Sequence, residues 1–177
     1  MDDNATLNIL GQAVPFCTHE QDELARILEA GEIRDVEPQT AILGEGSWSG
    51  ALHIILTGKC RVTRRDPHGG KDYVLAEVGP GSIVGEVSLL HHVTASATVR
   101  TLEPSRIFKL AHDAFHEMID AGDLAAYKLT LGMAKTMAER MHLMHDHMEK
   151  VWSQPRGPER QAEMKRFREH LETNWDF

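Results

Sequence analysis

The apolar positions change their period twice along the chain, and the changes divide it. Over residues 18–30 Leu24, Ile27 and Leu28 share one face, the spacing of an amphipathic helix. Thr18 stands where an N-cap is wanted, Gln21 follows three residues on as a capping-box partner, and Gly31 ends the turn. From Glu32 to about Leu110 the texture shortens. Lys59 to Thr63, Tyr73 to Val78 and Ser96 to Thr101 alternate with a period of two. Gly44-Glu45-Gly46, Gly58, the stretch Asp66 to Gly70, Gly79-Pro80-Gly81 and Glu103-Pro104 interrupt them. Short strands with closely spaced turns predict a sandwich or barrel rather than a parallel α/β sheet.

Past the strands the pattern turns helical again. Asp113 to Ala121 reads as a short helix ending near Gly122, and Asp123 then caps a long one that reaches about Trp152. Leu124, Tyr127, Leu131, Ala134, Ala138, Met141, His145, Met148 and Trp152 form its stripe, in steps of three and four like a coiled-coil seam. Met133, Met137, Met144 and Val151 widen the apolar face. A single domain has little use for two apolar faces on one long helix, so one face is expected on the strand domain and the other on a second copy of the chain. Gln154 to Pro158 reads as a linker, and a short final helix follows with Met164, Phe167 and Leu171 on one side. Arg160, Lys165, Arg166 and Arg168 are interleaved there with Glu159, Glu163, Glu169 and Glu172, a solvated face. A helix-turn-helix needs two helices and a recognition surface, and this segment is too short for one.

Composition narrows the classes. At 177 residues the chain holds one domain with an appendage, and its 41% apolar content is ordinary for a globular protein. A net charge of −8 argues against a protein that coats nucleic acid or an anionic membrane. The acidic start, Met1-Asp2-Asp3-Asn4, is followed by no apolar run of the signal-peptide kind, and no stretch has membrane-spanning length, so a cytoplasmic location is expected. Cys17 and Cys60 form no disulfide framework or metal pattern and are expected as reduced thiols, Cys60 on the inward side of a strand. No P-loop, nucleophile elbow, zincin helix or dinucleotide fingerprint is present, which argues against an enzyme. Among eleven histidines, His112 and His116 have the i, i+4 spacing of a helical ligand pair, but no Cys/His quartet exists and no metal site is assigned.

The densest chemistry sits in one loop. After the turn Gly79-Pro80-Gly81 and the apolar pair Ile83-Val84, Gly85 lets the backbone bend and a ligand approach closely. Glu86 then opens a very short helix whose unpaired N–H groups attract an anion, and Ser88 adds a hydroxyl. A carboxylate, a hydroxyl and bare amides together suit a sugar phosphate. Gly85-Glu86-Val87-Ser88-Leu89-Leu90 followed by Ser96-Ala97-Thr98-Val99 resembles the phosphate-binding cassette of cyclic-nucleotide-binding domains of the catabolite activator kind. The order of Leu56-Thr57-Gly58, Gly79-Pro80-Gly81 and Gly85-Glu86 extends the resemblance from about Thr18 to Phe115.

The resemblance implies a mainly β fold with flanking helices, a double-stranded β-helix or jelly-roll-like β-roll, and a long C-terminal dimerisation helix that closes over the nucleotide. Residues 1–17 become a lead-in, 18–122 the roll, 123–152 the dimer helix and 153–177 linker and tail. Glu86 would accept a ribose hydroxyl, Gly85 and the amides of Val87 and Ser88 would hold phosphate oxygens, and Ser96 would add a hydroxyl or amide. The family's phosphate-clamping arginine falls at Ala95, and Arg140-Met141 occupy the base-contacting positions of the long helix. Cyclic AMP or cyclic GMP is therefore the expected class of ligand, with the charge partner altered. Arg140 and the pair His91-His92 are the compensating cations the sequence offers. Two functions follow: a non-enzymatic homodimeric sensor that signals to a protein partner, or a ligand-free dimeric interaction module on the same scaffold.

Overall fold

The computed structural model describes residues 3–66, 69–91 and 93–153. It begins with helix α1 (Asp3–Gln12), a 3-10 turn at Val14–Phe16 and helix α2 (Gln21–Ala30). Strands β1 (Glu32–Val36), β2 (Ala41–Leu43), β3 (Ala51–Thr57), β4 (Cys60–Arg64), β5 (Tyr73–Val78) and β6 (Ile83–Val84) follow. The short helix α3 (Glu86–Leu90) leads to β7 (Thr98–Thr101) and β8 (Ser105–Ala111), then helices α4 (His112–Asp120) and α5 (Leu124–Ser153). The chain forms two compact units, residues 1–137 and 138–177. The linker and tail expected over 153–177 lie outside the described residues beyond Ser153.

The eight strands make two four-stranded antiparallel sheets, in the orders β1-β8-β3-β6 and β2-β7-β4-β5. Their side-chain alternation divides the core in two. Leu52 pairs with Leu110 and Ile54 with Phe108, and this face meets Leu10, Phe16, Leu24, Ile27, Leu129 and Met133 from the helices. The opposite face carries Ile55 and Ile107, which pack against Leu43, Cys60, Val84 and Val99 inside the roll. β3 is therefore buried on both sides, as its apolar run, interrupted only by His53, requires.

The residues expected only as a lead-in supply core. Leu10, Ala13 and Phe16 are buried, and the 3-10 turn lies so close to α5 that a Cβ on Gly132 would come within 2.1 Å of the Pro15 carbonyl oxygen. Only a residue without a side chain permits that approach. The start of α2 differs from the expected Thr18–Gln21 box. Its N-cap is Glu20, whose N–H donates to the Glu23 carboxylate at 2.7 Å. Glu23 is buried because Lys128 of α5 reaches the same carboxylate oxygen, also at 2.7 Å, a long-range partner that local spacing does not reveal.

Asp123 caps α5 as expected, accepting the Ala125 N–H at 2.9 Å. The face of α5 that packs in the first unit is Ala125, Ala126, Leu129 and Met133. Leu124, Tyr127 and Leu131, the start of the expected seam, are exposed. In the second unit Met141, Leu143, Met144 and His145 are exposed as well.

Candidate ligand site

The turn at Gly85 is built by a steric demand. Its φ of 87° lies in the left-handed region, and a Cβ there would stand 2.4 Å from the Ala51 carbonyl oxygen. A side chain fails on both counts, so this position is closed to anything but glycine. The chain then curls into α3, with the Leu89 N–H donating to Gly85 O at 3.1 Å. Glu86 (6% exposed) and Ser88 (2% exposed) are buried, while Val87 is on the surface. Burying a carboxylate is costly unless it is satisfied, so Glu86 is held inward by the fold and not left in bulk water.

The second half of the cassette is pinned to the β2–β3 loop. Ala95 is buried; its N–H donates to Ser47 O at 2.9 Å and its carbonyl accepts the Gly46 N–H at 2.8 Å. The Thr98 hydroxyl accepts the Glu45 N–H at 3.1 Å. Ser96 is exposed. His91 is exposed and His92 lies outside the described residues. Arg140 and Met141 are both exposed and belong to the unit that starts at Ala138. The structure thus brings together Gly85, Glu86, Val87 and Ser88 on one turn, and ties Ala95 and Thr98 to the neighbouring loop with Ser96 exposed between them.

Cys60 is inward and fully buried, and burial pushes its thiol above the ordinary value. Its cationic neighbours do not activate it: Lys59 and Arg61 both pair with Glu77, at 2.6 and 2.8 Å. Among the described residues no group of three or more His, Cys, Asp or Glu is arranged to hold a metal ion. No helix among them is long and apolar enough to cross a membrane.

A cavity of about 410 Å³ opens between β1, β2, β3, β8 and the loop at residues 44–49. None of the cassette residues lines it. Its polar wall is Arg34, Lys109, His53 and Ser49, and Trp48 lies at its edge. This set was not found from the sequence. The available signal was His53 interrupting the apolar run of β3, and Lys109 at an inward position of β8.

A family model described as the cyclic nucleotide-binding domain matches residues 33–121, half of the chain, which include the whole cassette. The chain belongs to the cyclic nucleotide-binding domain family. Within this family it is similar to the cyclic AMP receptor protein of Thermus thermophilus, 31% identical over 98 residues, covering 55% of this chain and 45% of that protein. It is also similar to the cAMP-dependent protein kinase regulatory subunit of Yarrowia lipolytica, 29% identical over 102 residues, covering 58% of this chain and 25% of that one. This cyclic nucleotide-binding domain therefore spans less than half the length of these curated relatives. Among solved structures it resembles the Thermus thermophilus catabolite activator protein, with a TM-score of 0.69 at 25% identity over 78% of this chain and 63% of that one. The β-roll expected from the cassette and the glycine order is the observed fold.

Proposed function

We propose that the chain is a non-enzymatic regulatory domain that binds a cyclic nucleotide or a related anion at the Gly85–Ser88 turn and signals to a protein partner. The observation that carries this reading is the buried Glu86 carboxylate, set one residue after a position only glycine can occupy, inside the family match. A carboxylate in that place accepts ribose hydroxyls, and Ser88 beside it adds a polar contact. Homodimerisation through the exposed Leu124, Tyr127 and Leu131 stripe of α5, in the cytoplasm, completes the reading.

The second reading is a ligand-free dimeric interaction module, and Ala95 favours it. Without an arginine there, a phosphate loses a charge-assisted partner worth about 1.5–3 kcal/mol, or about one to two decades of affinity. Thermal unfolding with cyclic AMP and with cyclic GMP separates the two. Ligand at about 100 times its dissociation constant adds about 2.7 kcal/mol to stability and raises Tm by several degrees. No shift with either nucleotide at millimolar concentration would leave the interaction module. Ala95→Arg is expected to tighten binding by about one to two decades. Unchanged affinity in a folded variant would mean that residue 95 is not the clamp position.

A further inference from the structure

The cavity between β1, β2, β3 and β8 has the makeup of a ligand pocket, and it is separate from the cassette. Strand register assembles it. Lys109 of β8 stands between Glu32 of β1 and His53 of β3, and Arg34 pairs with Ile107 one step along. His53 and Lys109 face the interior of the roll, where Val36, Ile42, Leu43 and Ile107 form an apolar floor, while Glu32 and Arg34 are exposed at its mouth. The volume, about 410 Å³, falls within the range of small-molecule sites.

Two independent features point to a guest. Among the described residues three buried side-chain atoms have no hydrogen-bond partner, and two of them, Ser49 Oγ and His53 Nδ1, belong to residues lining this cavity. Folded proteins rarely leave such groups unmet, because each costs about 1–3 kcal/mol. His53 is 6% exposed, so its orphan nitrogen is enclosed. The second feature is charge. Arg34 and Lys109 both reach the same Glu32 oxygen, at 2.6 and 3.2 Å, which leaves the pair with one surplus positive charge. Burial, followed by the charges of Lys109 and Arg34 and opposed by Glu32, pushes the His53 pKa down to about 4. At neutral pH the imidazole is uncharged and offers a hydrogen bond rather than a second charge.

We infer that this cavity binds a small organic monoanion, a carboxylate carried on an apolar or aromatic body. The carboxylate supplies the second negative charge that Arg34 and Lys109, which share one Glu32 oxygen, still lack. Ser49 and His53 satisfy its remaining oxygen or a neighbouring polar atom. The body lies on Val36, Leu43 and Ile107, with the Trp48 indole at the rim. A dianionic phosphate is a poorer match, because it exceeds the one surplus charge. The site abuts the cassette at two points: His53 Nδ1 lies 3.6 Å from where a Cβ on Gly85 would be, and the carbonyl of Ser47, in its wall, accepts the Ala95 N–H.

The test is a titration of the full chain with indole-3-acetate and phenylacetate, each against its neutral primary amide, followed by calorimetry and by the amide and imidazole NMR signals. The acids are expected to bind, to move the signals of Ser49, His53 and Lys109, and to exceed the amides by about tenfold or more. Lys109→Met keeps the apolar stem and is expected to lower the affinity for the acids about tenfold while leaving the amides unchanged. Arg34→Gln, at a more exposed position, gives a second reading should Lys109→Met unfold the chain. Equal binding of acid and amide, or no binding of either at millimolar concentration, overturns the inference. Glu86→Gln keeps the two sites distinguishable: it abolishes nucleotide binding if the cassette reading holds and leaves the carboxylate titration unaltered.

Discussion

β3 and β5 are strands of similar length in the two sheets of one roll, and they are treated in opposite ways. β3 buries its first six residues and exposes only Thr57, whereas every residue of β5 from Tyr73 to Glu77 is exposed. The cause is layering. β3 lies between the helices on one face and the second sheet on the other, while β5 is an edge strand with a single partner, β4. Tyr73, Val74 and Leu75 consequently stay about half exposed, although they are as apolar as the residues of β3. Apolar side chains left uncovered in a row are where a protein meets other molecules; those sealed on both faces hold the fold. The sheet beneath the helices therefore holds the larger core, while in the other sheet β5 leaves an apolar edge uncovered.

The largest expected effect breaks this contrast directly. Phe108 is fully buried opposite Ile54, and Phe108→Ala is expected to cost about 3–5 kcal/mol. Leu75→Ala, at 57% exposure, is expected to change stability by less than about 0.5 kcal/mol. Denaturant unfolding of both variants checks this, and comparable losses would mean that β5 is covered in solution.

The sequence made the fold legible wherever local signals agreed with it. β5 runs from Tyr73 to Val78 as its alternation predicts, and α5 starts after its Asp123 cap. Legibility failed where a distant partner decided. Glu23, not Gln21, completes the capping box, because Lys128 more than a hundred residues away holds its carboxylate inward. The packed face of α5 was obscured by its own small residues. Ala125 and Ala126 carry no hydrophobic signal beside Leu124, Tyr127 and Leu131, yet they are the ones buried. At the site, the Gly85-Glu86 turn is contiguous and could be read. Arg34, His53 and Lys109 come from three strands, and only their register makes them neighbours.

That polar row also gives the fold a pH response of its own. His53 is neutral in the fold, with its pKa pushed down to about 4 from 6.5, chiefly by burial. Between these values the unfolded chain takes up a proton that the folded chain refuses. The contribution is therefore fully present above about pH 6.5 and declines as the pH falls toward 4, by about 3 kcal/mol across the window. His53→Phe should flatten this part of the stability profile. The buried Glu23, whose carboxyl is held below its ordinary value first by the Lys128 hydrogen bond, acts in the same direction but only below about pH 4.5, so the two are separable. An unchanged slope between pH 6.5 and 4.5 in His53→Phe would mean that the imidazole is solvated in the folded state.

The smallest change in stability is expected on α5, where it carries the largest change in assembly. Leu131 is 58% exposed on the face opposite the packed Leu129 and Met133. Leu131→Glu keeps a good helix former at a surface position and should alter monomer stability by less than about 0.5 kcal/mol. If this stripe is the dimer seam, the substitution places a charge in each half of a self-complementary interface, and sedimentation should show the dimer replaced by a monomer. Met133→Ala is the matching control on the buried face. It removes core contacts at a cost of about 2–5 kcal/mol, so it should lower Tm first and affect association only through unfolding. Should Leu131→Glu sediment like the unaltered chain, the exposed stripe is not the seam. The two faces of the helix would then differ in burial alone, and not in what they recognise.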